Sequence, residues 1–495
     1  MLIAGNGVAV NERRRKHSGA YYTPDPVVAT LLRWAVRHES DRLLDPSCGD
    51  GRFIAGHHNS VGIEQDADAI GTAIARAPWA LVHEGYFFSW AANTGERFEC
   101  AAGNPPFIRY QTFKGHVREQ ALRLCGQLGA VFSGLTSSWA PFLVATASLL
   151  TPGGRMAFVV PAEIGHAPYA APLLEYLVEH FNKVQVVAVK RKLFPELSED
   201  CWLLYAEGFG GRTDDILLSV VETFRLSSRP PRQTLCVPVS EWRELWNRRL
   251  RPFLTSAIAR NLYQLAVSHR LSRRLGDIAS IGIGYVSGAN DFFHLRPSTA
   301  NRFGIPAELL HPSVRNARAL PPKRLTRATV QDWQRHDEAV LLLRLPKTTE
   351  VPASVQRYLD TAAGLEAREA YKCRVRDPWY AVPDVQIPDF FLTYMSGRKA
   401  GLVQNAAGCT CTNSLHSLRV RNKAAIQRVV KAWDTPFAQL SCEFEGHPLG
   451  GGMLKLEPRE ASRLLIPAPV YGAELASHEV VAAVTEMQSW RHYAA

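Results

Sequence analysis

The chain has 495 residues, 46% of them apolar and 21% charged, with 31 prolines and 35 glycines spread along its length. Such a composition excludes collagen-like, coiled-coil and wholly disordered classes and leaves room for two or three domains, each with its own core. The net charge of +11 is lopsided: residues 1–235 carry 23 Lys/Arg against 23 Asp/Glu, and residues 236–495 carry 34 against 23. A polyanion-binding module is therefore expected in the second half, beside a neutral first half that does other work. No uncharged apolar stretch is long enough to span a bilayer, which takes roughly 18 residues or more. The short apolar start precedes the basic cluster Arg13–Lys16, the reverse of a secretory signal. A soluble cytoplasmic protein with no membrane partner is expected. The nine cysteines include no CxxC pair, and Cys409 and Cys411 form a lone CxC, so neither a disulfide framework nor a metal site is expected.

The first 210 residues alternate short apolar, β-branched runs with helical patterns. A helix is expected to open at Thr23-Pro24, with Thr23 as cap and proline at the first helical position, and to carry Val27, Val28, Leu31, Leu32, Ala35 and Val36 on one side. Strands are expected at 42–45, 61–64, 79–83, 99–104, 155–161, 184–189 and 201–207, with a helix over 138–150 that stops at Pro152-Gly153-Gly154. Seven strands with helix-length gaps indicate an α/β sheet covered on both faces. Residues 236–275 read as a basic helical linker, and residues 276–495 as a mixed α+β domain of short strands.

Leu43 to Phe53 (LLDPSCGDGRF) is a strand running into a glycine turn and then a helix. Glycine suits a backbone that must pass close to a ligand. Glu64 closes the next strand. It stands about 20 residues beyond Asp45, the spacing at which a carboxylate can accept both hydroxyls of a ribose. Two glycines flanked by carboxylates favour a cationic nucleoside over a pyrophosphate, and S-adenosylmethionine has that chemistry. Asn104-Pro105-Pro106-Phe107 follows the fourth strand. The Asn104 side-chain oxygen and the Pro105 carbonyl can each accept one hydrogen of an exocyclic amine, aiming its lone pair at a methyl donor. Phe107 can stack on the base once it has left the duplex.

With these motifs in this order, the sequence resembles the gamma-class DNA adenine-N6 methyltransferases of type II restriction systems, over nearly the whole chain. The resemblance implies a seven-stranded Rossmann-like S-adenosylmethionine-dependent catalytic domain over 1–235, the basic linker, and a DNA target-recognition domain over 276–495. It implies cofactor contacts from Tyr21 and Thr23 in the segment HSGAYYTP, from Asp45, Pro46, Cys48 and Gly49 in the loop, from Glu64 at the ribose and from Phe87. It gives Asn104 to Phe107 the target adenine, with Tyr110 and with Phe194, which precedes Pro195, near the flipped base. Relatives often have an acidic residue followed by an aromatic after the third strand; in Glu84-Gly85-Tyr86-Phe87 that slot falls on Tyr86, so Tyr86 or Glu84 would have to serve the cofactor's adenine. Segments 282–293, 372–383, 412–420 and 450–458 look like the recognition region, with Arg374, Arg376, Trp379, Tyr380, Asn413 and His416 as the DNA-facing candidates. Double-stranded DNA is the implied partner, and cleavage would belong to a separate restriction endonuclease. The alternatives are an RNA or protein-glutamine methyltransferase of the same fold, and a DNA-binding specificity module impaired in catalysis.

Overall fold

The computed structural model describes residues 23–492 apart from 198, 346, 348, 349, 469–474 and 476. Tyr21 and the basic cluster Arg13–Lys16 lie outside the described residues. The chain divides into two compact units, Met1–Leu254 and Thr255–Ala495.

The first unit is built on a nine-stranded sheet of order β3-β2-β1-β4-β5-β7-β6-β8-β9. Its strands are β1 (Leu43–Asp45), β2 (Ser60–Glu64), β3 (Leu81–Glu84), β4 (Phe98–Gly103), β5 (Leu150–Pro161), β6 (Phe181–Val189), β7 (Cys201–Phe209), β8 (Asp215–Val221) and β9 (Leu235–Pro238). Strands β1 to β5 pair in parallel, β7 runs antiparallel between β5 and β6, β8 lies parallel to β6, and β9 closes the sheet antiparallel. All seven expected strands have counterparts in this sheet, and β8 and β9 extend it. The start of the expected helical linker is thus partly sheet, because Cys236 and Val237 pair with Leu217 and Ile216.

Helices α1 (Asp25–Ala35), α2 (Ala67–Arg76), α3 (Phe87–Asn93), α4 (His116–Gln127), α5 (Trp139–Ala147), α6 (Ala171–His180) and α7 (Val239–Glu244) complete the unit. In α1 the buried residues Val27, Val28, Leu31, Leu32 and Ala35 repeat at three and four positions, the spacing of one helix face. Its cap is Pro24 and not Thr23: a second proline, Pro26, presets the first turn one residue later than expected. All nine residues of α5 are buried, as suits a helix apolar on every side. It ends at Ala147, and Pro152-Gly153-Gly154 falls inside β5, where the pairing with β4 jumps from Phe98↔Leu150 to Cys100↔Arg155. Gly153, at φ +80°, makes that bulge possible. The central strands are apolar throughout: Leu43 and Leu44 of β1 and Met156 to Val160 of β5 are inaccessible, as a sheet covered on both faces requires.

The second unit contains a five-stranded sheet, in which Ala279–Ile283 pairs with Leu415–Val420 and that strand with Phe390–Thr393, alongside a four-stranded and a three-stranded sheet. Its helices include Pro436–Glu445 and His478–Ser489. Arg491 and Glu443 form an ion pair at 2.8 Å with side-chain exposures of 0% and 3%, and Arg491 also donates to the Gly397 carbonyl at 2.8 Å. Removing one partner of a fully desolvated pair leaves a charge without compensation. Glu443→Ala should therefore destabilise this unit by about 3 kcal/mol, measured as a lower denaturation midpoint; an unchanged midpoint would show that the pair does not hold the unit together.

Candidate functional site

In the strand order β3-β2-β1-β4-β5, the chain leaves β1 toward one edge and β4 toward the other. Beyond the carboxyl ends of two such strands the loops part and leave a crevice, the usual ligand position in open α/β sheets. Asp45 ends β1, and Asn104 follows β4. The two most informative sequence motifs therefore meet at one place.

Asp45 is 1% exposed. Its Oδ1 accepts the Ser47 N–H at 3.1 Å, which favours the ionised form. Burial opposes this more strongly, and the negative charges of Glu64 and Asp50 add to it, so the carboxyl is pushed up to about 8. The neighbouring strand leaves it little room: a Cβ on Gly103 would lie 2.7 Å from Asp45 Oδ1. Gly62 plays a similar part on the other side, where a Cβ would lie 2.7 Å from Cys48 Sγ. Cys48 is itself buried among Ile54, Ala73 and Ala77, so its side chain supports the loop from below. It does not fit the expected cofactor contact, because the thiol faces this cluster.

Beyond Cys48 the chain turns through Gly49 (φ +52°) and Gly51 (φ +84°) and leads into a single short 3-10 turn, Ile54–Gly56, at the place of the expected helix. A Cβ on Gly49 would meet nothing within 4 Å, whereas one on Gly51 would come within 2.8 Å of the Ala73 backbone. Gly49 thus faces open space, and Gly51 is required for packing on α2. Glu64 fastens the loop from the adjoining strand: its Oε2 accepts the Gly49 N–H at 2.9 Å, and its Oε1 accepts those of Gln65 and Asp66 at 2.8 and 2.9 Å. A carboxylate has about four lone-pair directions, two on each oxygen, so Oε1 is filled by its two amides and Oε2 keeps capacity for one further donor. Asp50, not singled out by the sequence, is buried and receives Arg76 at 2.5 Å and Arg52 at 3.1 Å. Arg52 also donates to the Thr23 carbonyl at 3.2 Å. Thr23 is buried, and its carbonyl ties the start of α1 to the glycine loop.

The turn Asn104 to Phe107 is held by a residue sequence reasoning missed. Ser138 Oγ donates to the Pro106 carbonyl and accepts the Ile108 N–H at 3.0 Å. The only local sign was the polar pair Ser137-Ser138 ahead of an apolar helix. Phe107 is half-buried and packs against the core cluster that includes Phe194. Phe194 itself is 1% exposed, so it supports this cluster and presents no free face to a base, contrary to its expected position. Arg109, just after the turn, pairs with Glu199 at 2.5 Å, joining the turn to the loop that carries Phe194. Tyr110 and Tyr86 are exposed. Phe87 is buried and stacks on Phe142 with ring centres 5.1 Å apart, which makes it a core residue and leaves Tyr86 as the accessible aromatic there.

In the second unit, the segments picked out by sequence pack on one another. Arg376 donates to the carbonyls of Val286 and Ser287, the latter at 2.5 Å. Its half-buried guanidinium serves backbone carbonyls and braces segments 282–293 and 372–383 against each other, where a DNA-facing cation was expected. His416 is inaccessible and its Nε2 lies 2.6 Å from the Leu456 carbonyl, so it too is interior, binding segment 412–420 to 450–458. Trp379 packs near Phe292 at 6.0 Å between ring centres, and Tyr380 is half-buried against the same cluster. Arg374 and Asn413 are exposed. Cys409 and Cys411 belong to an apolar core.

Residues 248–492 match the family "Type II methyltransferase M.Eco57I, C-terminal domain". The chain is 18% identical to the type II methyltransferase M.AccI of Acinetobacter calcoaceticus and 23% identical to M.XamI of Xanthomonas campestris pv. amaranthicola; each match covers 92% of this chain and 86% of the relative. Among solved structures, the type IIG restriction endonuclease BpuSI matches over 98% of this chain and 67% of its own, at 13% identity and a TM-score of 0.45.

The raised Asp45 carboxyl makes a signed prediction. An unfolded aspartate titrates near about 3.9, so between about pH 4 and 8 the folded chain holds a proton that the unfolded chain has lost. Stability is then lost as pH rises through that window. Asp45→Asn keeps an acceptor for Ser47 and removes the titration. Its melting temperature should equal the parent's near pH 4 and exceed it increasingly toward pH 8; a gap independent of pH would contradict the assignment.

Proposed function

We propose that this chain, which is similar to type II methyltransferases over most of its length, is a site-specific DNA adenine methyltransferase, acting on N6 of an adenine flipped out of duplex DNA. The single observation that carries this reading is the Asn104-Pro105-Pro106-Phe107 turn at the carboxyl end of β4, beside the Asp45–Glu64 loop at the sheet's switch point.

The residues at the loop suit S-adenosylmethionine. Gly49 opens onto free space, Glu64 Oε2 has acceptor capacity for a ribose hydroxyl, and a cation beside the loop would favour ionisation of the buried Asp45 carboxyl. Asp45, Pro46, Gly49 and Glu64 would hold the cofactor, with Thr23 and Tyr21 on its methionine side and Tyr86 near its adenine. When bound, S-adenosylmethionine supplies an electrophilic methyl group. Asn104 Oδ1 and the Pro105 carbonyl then accept the two N6 hydrogens of the target adenine and orient the nitrogen lone pair, while Phe107 stacks on the ring. Positioning and charge stabilisation carry such a transfer without a strong base. Ser138 acts through the turn by fixing the Pro106 carbonyl and the Ile108 amide. The basic second unit would grip the DNA through groups such as Arg374 and Asn413, and a separate endonuclease would cleave unmodified sites in the same cytoplasm.

Transfer of labelled methyl from S-adenosylmethionine to unmodified duplex DNA, followed by base-resolution mapping, tests this. N6-methyladenine at one short motif is expected, abolished by Asn104→Ala. Ser138→Ala should lower kcat by about ten- to a hundredfold with cofactor affinity retained, the loss expected when reacting groups shift by about 1 Å. Label on RNA alone would replace the substrate, and tight DNA binding without transfer would replace the enzyme with a binding module.

A further inference from the structure

The β8–β9 connection, residues 222–234, has no role in the chemistry above. It is fastened over one face. The Ser227 N–H donates to Thr30 Oγ1 of α1 at 3.2 Å, and the buried Gln185 donates through Nε2 to the Pro231 carbonyl and to Ser219 Oγ, both at 2.9 Å. At its base, the Lys190 and Arg191 amides donate to the Val221 and Glu222 carbonyls at 2.9 Å. Between this strap and the sheet lies a cavity of about 660 Å³. Its floor is apolar, from Val187 and Val189 of β6 and Leu203 and Tyr205 of β7.

Three arginines of the strap, Arg225, Arg229 and Arg232, line the same cavity. None of them has an ion-pair partner among the described residues. The single carboxylate in the lining, Glu222, stands 3.8 Å from Lys190 and 4.0 Å from Arg191. The first half of the chain is neutral in sum, so three arginines against one carboxylate in a single lining are a local concentration that composition conceals. Guanidinium groups that converge without a counter-ion fit phosphate oxygens.

The strand directions place this surface. β8 is parallel to β6, and through β7 both run in the sense of β5 and β4. The strap therefore leaves from the sheet edge that carries Asn104. Four strand spacings separate β4 from β8, about 19 Å at ~4.8 Å each, and about six base pairs of duplex at 3.4 Å per step. We propose that Arg225, Arg229 and Arg232 form a phosphate-binding surface of the catalytic unit, which seats the DNA backbone a few base pairs from the adenine being modified. This rests on the DNA-methyltransferase reading and adds to it a contact outside the recognition unit.

Binding of the full chain to a short duplex of arbitrary sequence, measured by fluorescence anisotropy over a series of salt concentrations, tests the proposal. Each phosphate contact adds about 0.9 to the slope of log affinity against log salt. The triple variant R225A/R229A/R232A should show a slope shallower by about 2 to 3, an equal loss on duplexes with and without the methylation site, and unchanged S-adenosylmethionine binding, which reports folding. The single variant Arg229→Ala should lose about one third of that slope, and Arg→Lys at all three positions should keep most of it. An unchanged slope while the parent binds and methylates DNA overturns this inference alone; a parent that binds no DNA removes the function beneath it as well. Saturable binding of AMP that the triple variant loses, with the DNA slope unchanged, would assign the cavity to a free nucleotide and overturn the DNA assignment.

Discussion

The candidate site depends on a carboxyl group placed where the sheet has no space for anything larger. Asp45 sits at the point where the strand order reverses, and its oxygen occupies the volume that a side chain at position 103 would take. That close approach fixes the separation of the β1 and β4 ends, and with it the distance between the glycine loop and the Asn104 turn. Burial of a carboxyl costs stability unless it is neutral or paired, so the fold accepts a local penalty to keep this group in position. Penalties of this kind collect at functional sites.

Around Asp45, backbone amides and carbonyls and one buried carboxylate hold the loops. Glu64 takes three amide donors, Ser138 engages two backbone groups, and Arg52 and Arg76 converge on Asp50. Glu64 ties the glycine loop to β2, Ser138 ties the Asn104 turn to the start of α5, Arg76 ties the loop to α2, and Arg52 reaches on to the Thr23 carbonyl and Asp25 at the start of α1. Loops held at several points lose little further entropy when a ligand binds. The second unit follows the same logic with other partners, since Arg376 and His416 spend their polar atoms on carbonyls of neighbouring segments.

The sheet and the paired motifs were legible because period and punctuation are local. Apolar runs such as Met156 to Val160 have one structural use, and Asp45, Glu64 and Asn104 each stand at a strand end that the pattern itself marks. The boundaries shifted where two signals competed: Pro26 outweighed Thr23 at the start of α1, and Pro152-Gly153-Gly154 became a bulge because β4 continued to pair on both sides of it. Side-chain direction was not legible. Phe87, Phe194, Arg376 and His416 have residue types that suit ligand contact, yet whether each faces a ligand or the interior depends on partners far along the chain, such as Phe142, Ser287 and Leu456. Ser138 was invisible for the same reason, its two partners lying 30 and 32 positions back along the chain.

That serine joins the Asn104 turn to α5, a helix with no exposed residue. A turn anchored to the interior in this way inherits the opening free energy of the core, in place of the small value typical of a surface loop. Amide hydrogens around Ile108 should consequently exchange on the clock of global unfolding. On the function proposed above, the adaptability of the binding step would then come from the nucleic acid and not from the turn.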